Sequence, residues 1–323
     1  MSIAPYIKEI GRGKEGARSL TQAQAYDLMS QVLDGRAGDL EVGAFCIAMR
    51  IKGETTTELT GFLEAAQERC MPIAPALHPN SPVVLLPSYN GARKLPNLTA
   101  LLAMLLAQKG VPVLVHGVLK DAGRVTTADV FHDLGLPVAH TVADVGHAWA
   151  RREPVFMAID TLCPALAKLL EVRRVIGLRN PGHTVAKLLD PTRGDAALLN
   201  LKRGGAALRV VNHTHPEYAE ALSGFLLHTQ ANAMLMRGTE GEPVADARRL
   251  PRLDVFVGGV LQAALSLPAK EGVLTELPVL PRSIDAASTA VYIQSVVSGE
   301  APAPAPISQQ VDSLMQTLKV MTA

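Results

Sequence analysis

The sequence predicts an α/β protein with two unequal parts: a small all-helical lobe plus a larger lobe with a mainly parallel sheet flanked by helices. Three observations predict it. The first 70 residues carry apolar side chains at helical spacing behind good capping residues. Beyond residue 80, short β-branched apolar runs alternate with helical stretches, the pattern of a parallel sheet covered by helices. With 323 residues, 48% of them apolar and 19% charged, the chain can bury a large core.

In order, Thr21 caps a helix over 21–33 with Ala25, Leu28, Met29 and Val32 on one stripe, and Asp34-Gly35 ends it. Residues 42–52 form a second helix, stopped at Gly53, and 55–69 a third, with Leu59, Phe62, Leu63 and Ala66 inward. Helices this short must pack on something to be stable. The Pro-rich stretch 71–80 reads as a linker. Strands are expected at 83–86, 111–115, 155–159, 208–211 and 233–236, with an edge strand at 253–257. Helices are expected at 97–108, 127–134, 164–175, 183–188, 216–230 and 286–298, the last capped by Asp285. EAPAPAP at 300–306 is a stiff spacer before a closing helix over 309–320.

Composition narrows the function. Aromatics are only 4%, too few for a platform on which bases stack. Cys46, Cys70 and Cys163 are far apart and odd in number, so neither a disulfide framework nor a zinc spacing follows. The first residues lack the apolar segment of a signal peptide, and the longest apolar run, 100–107, is too short for a bilayer. A cytoplasmic protein with no membrane partner is expected. Charge is uneven: residues 168–209 hold nine bases and three acids, while the whole chain is only +1. Such a stretch is either an anion-attracting surface or a solvated helix face. GRGKEGAR, with Arg12, Lys14 and Arg18, is likewise either a phosphate-holding segment or a connector.

Ligands of open α/β sheets gather beyond the carboxyl ends of the strands. PSYNGARK at 87–94 follows the first strand; it has one glycine, so it makes a poor phosphate cradle, but Arg93 and Lys94 offer charge. His116-Gly117 follows the second strand and reads as a turn histidine. His213, His215 and Glu217 lack a further ligand at metal spacing. Glu240 and Glu242 in RGTEGEP read as a solvated acidic turn. No nucleophile elbow, Walker loop or dinucleotide fingerprint is present, and no catalytic residue, metal site or cofactor is assigned.

Three stretches resemble anthranilate phosphoribosyltransferase and its relatives, which share a fold with nucleoside phosphorylases: GAFCIAMRIKGETTTEL at 43–59, CPALAKLLEVRRVIGLRNPGHTVAKLLDP at 163–191, and, more loosely, AMLMRGTEGEP at 233–243. The resemblance implies a helical lobe of residues 1–74 and 164–193, an α/β lobe of 75–163 and 194–323, and a homodimer through the helical lobe. It also marks departures. The diphosphate loop GTGGD of the enzymes is replaced by PSYNG, their Lys-His-Gly keeps only His116 and Gly117, and their magnesium-holding Asp-Glu pair becomes Glu242-Pro243. Asn90, Gly91, Asn97, Thr99, His116, Gly117 and Arg173 are then a relic ligand cleft, with Arg173 matching the arginine that meets the acceptor's carboxylate. IKEIGRGK at 7–14, the 87–94 loop, VHGV at 115–118 and HPEY at 215–218 resemble one branch, the YbiB-like proteins, associated with sequence-independent nucleic-acid binding. The expectation is a homodimer that holds DNA, and possibly RNA, in basic grooves through Lys202, Arg203, Arg209, Arg193, Arg12, Lys14, Arg93 and Lys94. The alternative is an active phosphoribosyltransferase using phosphoribosyl pyrophosphate and magnesium.

Overall fold

The computed structural model describes residues 2–76, 82–193 and 207–322. It opens on five helices: α1 (Ala4–Ile10), α2 (Gly13–Gly16), α3 (Gln22–Leu33), α4 (Asp39–Lys52) and α5 (Thr56–Gln67). Thr21 and Thr55 close capping boxes with Gln24 and Glu58, satisfying backbone N–H groups that a helix start leaves unpaired. Glu58 is buried and also accepts from Leu20 N (2.9 Å) and Lys52 Nζ (2.6 Å), so one carboxylate ties three segments together. α3 and α5 approach closely at Gly61, where a Cβ would stand 2.3 Å from the Gln22 carbonyl.

The second part runs β1 (Val83–Ser88), α6 (Thr99–Gln108), β2 (Val113–Gly117), α7 (Thr127–Asp133), β3 (Val138–Ala139), α8 (Val142–Ala150), β4 (Val155–Ala158), α9 (Ile159–Leu162), α10 (Pro164–Ile176) and α11 (Gly182–Ala186). It continues with β5 (Ala207–His213), α12 (Glu217–His228), β6 (Ala233–Arg237), β7 (Leu253–Val257), β8 (Val260–Leu261), α13 (Ala286–Val297) and α14 (Ala305–Thr322). The strands form one sheet in the order β3-β4-β2-β1-β5-β6-β7-β8, parallel except where β7 and β8 turn back. Among the described residues no helix is long and apolar enough to cross a membrane.

Strand alternation divides the core. Val83 and Leu85 of β1 and Leu114 of β2 pack towards α3, α5, α10 and α11. Val84, Leu86, Val113 and Val115 pack towards α6, α7, α13 and α14. Two expectations change. VAHTVADVGHAWA at 138–150, for which the sequence suggested no element, forms β3 and then α8, started by a capping box of Thr141 and Asp144. The 300–306 spacer is shorter than expected because α14 begins at Ala305; Pro306 fits a first helical turn, where its missing N–H costs nothing.

Candidate functional site

β1 lies where the order of strands reverses, with β2 on one side and β5 on the other, so the loops after β1, β2, β5 and β6 converge at one crevice. The loop after β1 is held by paired bonds between Ala92 and Val125, 2.9 and 2.8 Å, which fasten it to the segment before α7. Over it folds the turn that follows β6. Glu240 (φ 53°) and Gly241 (φ 91°) are both left-handed, and Glu242 N donates to Thr239 O at 2.9 Å, the geometry of a tight two-residue reverse turn. Gly241 is required on two counts: its φ, and a Cβ there would sit 1.8 Å from Asn90 Nδ2.

This turn drives two carboxylates into the β1 loop. Glu242 is 1% exposed and accepts from the backbone N–H groups of Asn90 (2.8 Å) and Gly91 (2.7 Å). Ser88 Oγ donates to it as well, and Thr99 and Thr127 Oγ1 each lie 3.4 Å away. Glu240 accepts from three consecutive N–H groups, Arg93 (2.9 Å), Lys94 (2.9 Å) and Leu95 (3.1 Å). Burial pushes the Glu240 carboxyl up, but those three bonds outweigh it and hold it below its ordinary value. The solvated acidic turn expected from the sequence is therefore corrected: both side chains are turned inward because the loop's N–H groups need acceptors.

Beside the latched loop lie two adjoining hollows of about 900 and 800 Å³ that share Arg124, Arg179, Thr214 and His215. The outer one gathers Arg93, Lys94, Arg237, Arg248, Arg249, Arg252 and Lys270 around those arginines. The inner one lies between the helices and the sheet and adds Arg50, Arg173, His183 and Lys187. Five acids share the walls: Glu54, Glu217, Glu240, Asp246 and Glu271. Asp246 is already paired with Arg248 at 2.9 Å, and Glu240 with the loop. Burial lowers the pKa of Arg179, and Arg173, Arg124 and Arg50 lower it further. Burial and then Arg179 bring Lys187 to about 8, and burial with Arg179 and Arg173 brings His183 to about 3. The crevice is thus crowded with positive charge that repels itself, an arrangement an incoming anion relieves.

The structure sorts the residues named from sequence. Arg93, Lys94 and Arg173 line the hollows. Arg12 is exposed and pairs with Glu9 at 2.7 Å, away from the hollows. Lys202 and Arg203 lie outside the described residues, as does the Lys14 side chain. Arg209 and Arg193 are corrections. At 3% exposed, Arg209 projects from β5 onto the helix-covered face, donates to Leu188 O at 2.7 Å and is lowered by burial to about 10. Arg193, 5% exposed, is spent on Asp190 at 3.1 Å. Neither can meet a phosphate. The 168–209 charge run thus faces several ways rather than one.

Of the relic cleft, Asn90, Gly91 and Thr99 surround Glu242, with Asn97 braced against Thr127 Oγ1 at 3.0 Å. Gly117 is a close-approach glycine, its absent Cβ falling 1.7 Å from Ser88 O. His116 is corrected too: it is no turn histidine but a buried one, hydrogen-bonded to Tyr89 OH at 2.7 Å and lowered by burial to about 3. Sequence reasoning misses Ser88, Thr127, Arg50, Arg124, Arg237 and the DARRLPR wall at 246–252. Only that wall carries a signal, as three arginines within five residues.

Comparison with known proteins agrees with this fold. Residues 4–70 match the helical bundle domain of the glycosyl transferase family. The chain is 39% identical over 308 residues to the uncharacterized protein YbiB of Escherichia coli, covering 94% of this chain and 90% of that one. It is 30% identical over 197 residues to the anthranilate phosphoribosyltransferase of Symbiobacterium thermophilum, covering 60% and 55%. The crystal structure of anthranilate phosphoribosyltransferase from Thermus thermophilus superimposes with a TM-score of 0.65 at 17% identity, over 98% of this chain and 94% of that one. With the helical bundle, the mostly parallel sheet and the likeness to YbiB along nearly its whole length, the chain belongs to the anthranilate phosphoribosyltransferase-like family, in its YbiB-like branch.

Proposed function

We propose that the protein binds nucleic acid through its phosphate backbone, without sequence preference, in the basic crevice beside the β1 loop. The observation that carries the reading is a row of bases that no carboxylate engages in a salt bridge among the described residues. Arg50, Arg124, Arg173, Arg179 and Lys187 make no salt bridge among the described residues; their recorded partners are neutral groups, such as Tyr218 OH for Arg50 (3.2 Å) and Gly91 O for Arg124 (3.2 Å). Unpaired guanidinium groups suit phosphate oxygens, which they meet with two N–H donors at once. Two open hollows suit an extended polyanion better than a small enclosed ligand. The YbiB-like resemblance points the same way. Transfer of a phosphoribosyl group is the poorer reading, because Glu242 fills the loop N–H groups and hydroxyls that face the crevice floor. We infer further that the chain acts as a homodimer, which would present two crevices to one strand or duplex.

The test is a salt titration of binding to random-sequence duplex DNA, single-stranded DNA and RNA. The logarithm of affinity should fall with the logarithm of salt concentration with a slope of several units, about 0.9 for each phosphate contacted on duplex. A flat salt dependence, or a single favoured sequence, would overturn the reading. Light scattering at the same concentrations reads the dimer.

A further inference from the structure

We propose that Cys70 and Cys163 are a redox-active thiol pair that a small peroxide joins into a disulfide, tying the residues just beyond α5 to the start of α10. The two lie far apart in sequence, and the fold brings them together in two ways. Their backbones are neighbours: Met71 N donates to Leu162 O at 2.7 Å, and each cysteine adjoins one end of that bond. Their sulfurs are neighbours too. Both thiols reach the same carbonyl, Ala66 O, at 3.3 Å from Cys70 and 3.6 Å from Cys163, and Cys70 hydrogen-bonds to Cys163. A disulfide needs close backbones as well as close sulfurs, and both cysteines are free thiols in this structure.

The two thiols are unlike, and the difference assigns their roles. Cys163 is the N-cap of α10, where a helix start favours negative charge. The hydrogen bond from Cys70 holds the Cys163 thiol below its ordinary value, and the Leu166 N–H and the charge of Arg69 add to it against burial. That same bond, with burial, pushes the Cys70 thiol up. Cys163 is therefore the first of the two to ionise. It is fully buried, but Cys70 keeps part of its surface exposed and gives a peroxide its approach. The Cys163 thiolate attacks one peroxide oxygen and the O–O bond breaks. The leaving hydroxide takes the Cys70 proton and departs as water, and Cys163 is left as a sulfenic acid. The Cys70 thiolate attacks that sulfur, the S–S bond forms, and the hydroxide released recovers from solvent the proton that Cys163 first gave up. Two thiols have lost two hydrogens and the peroxide has become two waters. Cys46, buried on α4 with its thiol pushed up to about 12, stays out of the reaction. Nothing in this inference depends on what the crevice holds.

The experiment treats the full wild-type chain with hydrogen peroxide and reads it by thiol counting, non-reducing peptide mass spectrometry and a non-reducing gel. Free thiols should fall from three to one, the survivor being Cys46. A peptide pair joined through Cys70 and Cys163 should appear with two hydrogens lost, in a band at the single-chain position, and dithiothreitol should reverse it. In Cys70→Ser the reaction should stop at the sulfenic acid, so that dimedone labels Cys163. In Cys163→Ser dimedone should label nothing, and a label on Cys70 there overturns the assigned roles. The proposal is overturned outright by oxidation of Cys70 to sulfinic or sulfonic acid without a joined peptide, by joining between two chains only, or by thiols that survive peroxide strong enough to oxidise the methionines. If either serine variant fails to fold, the wild-type peptide map decides alone.

Discussion

Two anion-seeking regions lie side by side in this molecule and differ in one respect. The β1 loop carries its anion covalently, as Glu242 and Glu240 delivered by a tight turn. The neighbouring crevice has gathered Arg50, Arg124, Arg173 and Arg179, none of which forms a salt bridge among the described residues. The first region has its donors satisfied; the second holds like charges close together, and an anion bound there would offset part of that cost. The difference shows that local positive potential alone does not mark a binding site. What marks one is positive potential whose internal partners are missing.

Four measurements break or sharpen that contrast. The largest effect of a single substitution at neutral pH is expected from Glu242→Ala without added anion: leaving the Asn90 and Gly91 N–H groups and three hydroxyls unpaired should cost about 3 kcal/mol in urea unfolding. An unchanged midpoint would mean the loop does not depend on its carboxylate. Next comes Arg124→Ala with Arg179→Ala, which should weaken random-sequence duplex binding about 30-fold at low salt and reduce the salt slope by about two, while folding stability rises because mutual repulsion is relieved. A third concerns acid. His116, bonded to Tyr89 of the filled loop, is held by burial at about 3, against an ordinary value of 6.5. It stays neutral in the folded chain but is protonated in the unfolded one below pH 6.5. Its contribution is therefore complete above pH 6.5 and is lost as pH falls towards 3, by about 1.4 kcal/mol per unit. Unfolding at stepped pH should show that slope, and His116→Asn should flatten it. The smallest effect is on Lys187, at about 8: nucleic-acid affinity should drop about threefold between pH ~7 and ~9 as its proton leaves, and Lys187→Arg should remove the drop.

Much of the fold was legible because its causes are local. Thr21, Thr55, Thr126 and Asp285 announce helix starts by their own side chains, and Val83, Leu114 and Val155 sit in runs that fit only a covered strand. The site was less legible because its causes are distant in sequence. Glu242 meets Asn90 across 152 positions, and nothing near either residue says so. The charge run at 168–209 misled for a related reason: a linear count ignores that β5 turns Arg209 inward and that Asp190 claims Arg193. Arg93 and Lys94 do line the outer hollow, as their position after a strand of a parallel sheet suggests, because that argument rests on topology.

Trp149, the one tryptophan of the chain, lies on α8 and donates its indole N–H to Val113 O at 3.0 Å. It takes no part in either hollow, whereas Tyr218 stands in the inner one. The protein's strongest intrinsic fluorophore therefore watches the sheet and is blind to the crevice. Its emission follows unfolding of the sheet, and an occupant of the crevice must be followed by its own label.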